Sequence, residues 1–139
     1  MINEVELVHK TTPDVEIRVC RRAEVGKTVI HQGDVYFHCV ADTHPRGKAL
    51  GTRQVAVGTT VGARHVVEGK QVSVFEGRKL PAGVTVPSWC TQDALLGPLV
   101  VSETNFTLTH PEHAHHVLPP GTYQVTYQAD YSTRQRVAD

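Results

Sequence analysis

The sequence predicts an all-β protein: one domain spanning residues 1–139, built as a β-sandwich, jelly roll or small barrel with one long irregular excursion. Three observations carry this. Short runs rich in valine, isoleucine and threonine recur about every ten residues. Glycine, proline, asparagine and aspartate punctuate the gaps between them. No long segment repeats its apolar residues with the 3.6 period of a helix.

Val15 to Arg21 alternates apolar and polar side chains, as a half-buried strand must when successive residues point to opposite faces. Thr28 to Ile30 and Asp34 to Val40 read as paired strands around a break at His31-Gln32-Gly33. On the second of these, Tyr36 and His38 share one face, Phe37 and Cys39 the other, so a buried, hydrogen-bonded His38 is expected. Residues 41–52 read as loop, and Arg53 to Val57 as a short strand. His65-Val66-Val67 and Gln71 to Phe75 flank Glu68-Gly69-Lys70, which reads as a compact hairpin. Residues 76–98 form the irregular excursion, with one possible helical turn at Gln92–Leu96. Leu99–Glu103, Asn105–Thr109 and Thr122–Gln128 complete the strands, and 131–139 read as a polar tail.

Composition excludes several classes. Fourteen basic and fourteen acidic side chains cancel, with a pI near 7.1, which argues against nucleic acid or an anionic membrane as partner. Near-zero charge also removes colloidal repulsion and favours self-association. Cys20, Cys39 and Cys90 contain no C-x-x-C pair, so reduced, mostly buried thiols in a cytoplasmic protein are expected. The N-terminal stretch lacks the charge pattern of a signal peptide, and no apolar run approaches the ~20 residues of a membrane span. Phosphate-loop, nucleophile-elbow and H-E-x-x-H patterns are missing.

Histidine is where chemistry would concentrate. Four of the nine histidines fall within residues 110–116, before a Pro119-Pro120-Gly121 turn. Neutral imidazole is the commonest metal ligand. If the segment opening at His65 pairs with the one ending near His110, then His65, His110 and His113 converge. Three imidazoles and a water make an open zinc or iron site. Glu68 or Glu112 would then serve as fourth ligand, orienting group or base. The competing reading leaves His115 and His116 solvated in a loop and His110 bonded to backbone at a turn.

The chain also resembles a family of small bacterial and phage proteins. Gln32-Gly33-Asp34-Val35 matches that family's Q-G-D-V element. Thr109-His110-Pro111-Glu112-His113-Ala114, followed by Leu118-Pro119, Gly121, Tyr123, Val125, Gln128 and Tyr131, matches its final block. The middle G-H-x-H-R-x-E-G element departs, since Gly62-Ala63-Arg64-His65 places alanine where the first histidine belongs. The resemblance implies an all-β fold and brings no established activity. There is a weaker likeness to cupins, without their ligand motifs.

Two functions are weighed. One is a non-enzymatic structural or assembly protein, a virion component or oligomeric accessory subunit, without cofactor and with Trp89 in the excursion as an interface anchor. A structureless segment as long as 76–98 is unusual unless it binds or packs on a neighbour. The alternative is a metal-binding β-barrel with His65, His110 and His113 around zinc or iron, activating water for hydrolysis. The sequence favours the first, because it contains no complete catalytic constellation.

Overall fold

A computed structural model of the chain describes residues 5–11, 15–57, 64–78, 96–111 and 113–127. Twelve strands run in chain order: β1 (Val5–Thr11), β2 (Val15–Cys20), β3 (Val29–Gln32), β4 (Val35–Val40), β5 (Arg46–Leu50) and β6 (Gln54–Val57). They continue as β7 (Arg64–Glu68), β8 (Val72–Gly77), β9 (Leu96–Ser102), β10 (Phe106–Thr109), β11 (His115–Leu118) and β12 (Gly121–Tyr127). The first sheet has the order β1-β2-β11-β10-β7-β6 and the second β3-β4-β12-β9-β8-β5. They pack face to face as a sandwich.

Period-two alternation builds the shared core. Val67 on β7, Phe106 and Leu108 on β10 and Leu118 on β11 point inward from the first sheet. They meet Phe37 on β4, Val74 on β8, Val100 on β9, and Tyr123 and Val125 on β12. Phe106, Phe37 and Tyr123 form a ring triangle, Phe106 lying 6.4 Å from Phe37 and 5.4 Å from Tyr123. Polar ties cross the sandwich as well: the Tyr127 hydroxyl donates to the Val55 carbonyl (2.7 Å), and the Gln32 amide donates to the Leu108 carbonyl (3.1 Å). Burial of Tyr123 raises its phenol well above the usual range, so it is a neutral core residue.

Two close approaches explain particular residues. Gly33, at φ 58°, supplies the left-handed turn that closes β3 onto β4. A Cβ on Gly77 would lie 2.1 Å from the Gly97 carbonyl oxygen, so β8 meets β9 there only as bare backbone.

The architecture departs from the sequence reading at several places. Glu68-Gly69-Lys70 is not a hairpin turn: β7 and β8 belong to different sheets, and the segment crosses between them. Gly69 packs against Phe106, and Arg53 donates to its carbonyl (2.8 Å), which carries the chain over the core instead of back along β7. The 41–52 loop contains β5, an edge strand whose exposed residues leave no alternation to detect. The 115–116 loop is part of β11, which also pairs in parallel with the distant β2. The strand opening at residue 28 or 29 runs on to Gln32, through the expected break. Strand also enters both ends of the 76–98 excursion, through Gly77 and from Leu96. The rest of that excursion, with Trp89, Cys90 and most of the possible helical turn, lies outside the described residues, as do Ala63, Glu112 and the 131–139 tail. Cys20 and Cys39 are buried free thiols, and burial pushes the Cys39 thiol up to about 11. No helix among the described residues is long and apolar enough to cross a membrane.

Candidate functional site

The β3–β4 turn, β7 and the end of β10 meet at one end of the sandwich and gather a polar cluster. Alternation along β7 turns His65 inward beside Val67, while Arg64, Val66 and Glu68 take the outer face. Thr109 pairs with Val66, so His110 is the next residue beside His65 and likewise turns inward. Pro111 then bends the chain and returns His113 to the same place. The His65 and His110 rings are 4.5 Å apart, His110 and His113 4.4 Å, and His65 and His113 6.2 Å. The structure therefore brings together the three histidines that the sequence singled out.

Gln32 and Asp34 reach the cluster from the other sheet. The Gln32 amide nitrogen donates to the carbonyls of Leu108 (3.1 Å) and Ala114 (2.8 Å). Its oxygen is thereby turned toward His65, whose Nδ1 donates to it at 2.8 Å. That bond sets the His65 tautomer and leaves Nε2 as the basic nitrogen, 3.7 Å from the Asp34 carboxylate. Asp34 is only 2% exposed. A carboxylate so buried is tolerated when positive charge or donors face it. For His110, the Nδ1 atom accepts the His113 backbone N–H at 3.3 Å, which places the proton of the neutral ring on Nε2. The Nε2 atoms of His65, His110 and His113 are all sealed from solvent. Gln32 thus locks two sheets and one imidazole at once.

The fit to a metal is a separate question. Among the described residues, no group of three or more His, Cys, Asp and Glu side chains is arranged to hold a metal ion. Glu68 stands on the outer face of β7, opposite His65, and does not join the cluster as ligand, orienting group or base. Trp89 and Glu112 lie outside the described residues.

The remaining histidines have other roles. His115 donates from Nε2 to the His110 carbonyl (3.2 Å) and stands on the outer face. His116 turns inward and is 7% exposed, where a solvated loop residue was the competing expectation. Burial, with Arg18 nearby, holds its imidazole down at about 4. His38 is buried as expected, bonded to the Thr126 hydroxyl at 2.8 Å, and burial alone holds it at about 4. Outside the cluster, an open cleft of about 600 Å³ lies over the outer face of β6, β7 and β10, with His110 and Pro111 on its border.

Sequence reasoning reached the histidines but assigned no part to Gln32 or Asp34. The signal was present in Gly33: a glycine-closed two-residue hairpin turn fixes where the residues on either side must point.

Fold and site together define a small β-sandwich domain with a sealed histidine–carboxylate cluster at one end and an open polar cleft above it. The chain belongs to the family described as a domain of unknown function (DUF8820), which matches residues 31–128 and so spans both the cluster and the cleft. No curated protein and no solved structure matches the chain.

Proposed function

We propose that this is a non-enzymatic structural or assembly domain, in which the histidine cluster serves as an interior polar lock. The observation that carries this reading is the sealing of the cluster. A reaction centre must bring its acid, base or metal within reach of a substrate. Here the three Nε2 atoms and Asp34 are closed off, and Gln32 spends its hydrogen bonds joining the two sheets. The outer strands support assembly. The two sheets end in β5 and β6, consecutive in sequence, and edge strands present unpaired backbone groups on which a partner can dock.

A second reading, a bound zinc or iron ion, is favoured by one observation. Three imidazoles stand within 4.4–6.2 Å of one another, and His65 has its Nδ1–H anchored on the Gln32 oxygen, the arrangement that orients metal-bound histidine.

Elemental analysis of the purified chain, paired with its light-scattering mass, separates the two. A metal-free, discrete oligomer indifferent to chelators is expected. About one metal per chain, lost in a His110→Ala/His113→Ala variant, would replace the assembly reading with the metal reading. A metal-free monomer at all concentrations would overturn both.

A further inference from the structure

We infer that the cleft over β6, β7 and β10 is a binding site for a small oxyanion, a phosphate- or carboxylate-bearing molecule, with Arg64 as its principal anchor. The argument starts from register. Gln54 on β6 pairs with Val66 on β7, Val66 pairs with Thr109 on β10, and the β10–β11 register sets Thr109 opposite His115. These four residues make one row across the outer face of four adjacent strands, about 4.8 Å apart strand to strand. Val66 is the apolar floor and the others are polar. Arg64, two residues along β7 on the same face, stands beside this row at the Pro111 end.

Charge at that end is unbalanced. Arg64 is exposed and makes no hydrogen bond or ion pair among the described residues. Glu68, the carboxylate lining the cleft, lies four residues away on the same strand, about 13 Å at strand rise. Arg53 stands at that far end too, where it donates to the Gly69 carbonyl. In a chain whose total charge is zero, a guanidinium without a counter-ion among the described residues, set in a concave site, is poised for an anion.

The neighbouring groups suit such a guest. The Gln54 side-chain amide has no partner among the described residues and offers two donors. His115, held by its Nε2 bond to the His110 carbonyl, also lines the cleft. Glu68 at the opposite end repels a second negative group, which selects for a compact anion over an extended polyanion.

The test is titration of the ¹⁵N-labelled full chain with inorganic phosphate and, separately, with citrate, following backbone amide shifts. Saturable binding with a dissociation constant of about 1 mM or tighter is expected, with shifts centred on residues 53–54, 64–66 and 109. Arg64→Gln should weaken it about tenfold or more, the loss of one charge-assisted hydrogen bond. It should leave the thermal midpoint unchanged, because Arg64 is exposed. Glu68→Gln should bind at least as tightly as wild type. Saturation by only one of the two probes identifies which oxyanion the site takes. No saturable shift with either probe, or an Arg64→Gln variant that binds like wild type, overturns the inference.

Discussion

Lowering the pH from 7 to 5 is expected to remove about 4 kcal/mol of folding stability through two buried histidines. His38 and His116 are each 7% exposed, and burial holds both imidazoles at about 4 against an ordinary value of 6.5. In that interval the unfolded chain takes up protons that the folded chain refuses. Stability from these groups is therefore complete above pH 6.5, falls as the pH drops below it, and stops falling once the pH passes about 4. Integrating between pH 7 and 5 gives about 2 kcal/mol for each residue, at 1.36 kcal/mol per pH unit. With a urea m-value of about 2 kcal/mol/M, the unfolding midpoint falls by about 2 M. The same burial lowers His44, which adds to the effect in the same direction. The assay is urea unfolding at the two pH values, followed by circular dichroism. A His38→Gln variant, which does not titrate and keeps a hydrogen-bonding group for Thr126, should halve the fall, and adding His116→Gln should flatten most of it. An unchanged midpoint between pH 7 and 5, or a double variant that keeps the full pH dependence, would refute the reasoning.

Gln32→Leu removes the two bonds to the Leu108 and Ala114 carbonyls and the acceptor for His65 Nδ1, all in the interior. A loss of about 3 kcal/mol is expected by chemical denaturation; a change below ~1 kcal/mol would show that the lock contributes little. Phe106→Ala opens a cavity beside Phe37 and Tyr123 and should cost about 3–5 kcal/mol in the same measurement. Tyr127→Phe loses the bond to the Val55 carbonyl and should cost about 1 kcal/mol. Gly77→Ala forces a methyl onto the Gly97 carbonyl oxygen and should lower stability by about 2–3 kcal/mol; a variant as stable as wild type would mean that β8 and β9 do not approach as described.

The fold class was legible because several strands are half-buried and alternate, as β3, β7 and β10 do. Sheet membership was not. A short turn around Gly69 reads as a hairpin on local chemistry, and only its contact with Phe106 and Arg53, both distant in sequence, shows that it crosses between sheets. β5 escaped notice because an exposed edge strand has no buried face to imprint on its sequence. For the cluster, the meeting of His65 with His110 and His113 followed from supposing that their two segments pair, which β7 and β10 do. The parts of Asp34 and Gln32 did not follow, since the Gly33 turn sets how they point within their own hairpin but not which residues of the opposite sheet they meet. His116 reads as one more polar residue in a polar run until β11 is known to be a strand whose even positions turn inward.

One ladder in this sandwich runs against the rest. β11 meets β2 in parallel, with His115, His116 and Val117 beside Ile17, Arg18 and Val19. Among the described residues the β1–β2 pair is tied to its sheet by that ladder alone, between segments 98 residues apart (His115 against Ile17). Pairing over such a separation carries a large loop-closure cost, so this hairpin is expected to dock last in folding and to open first. Amide protons of β2 should then exchange faster than those of β12, which lies in the middle of the second sheet. The family-matched segment begins inside β3, so the hairpin lies wholly outside it. Seen this way, β11 is a berth: an acceptor edge that belongs to the family-matched part of the chain, filled by a strand pair from the segment that precedes it.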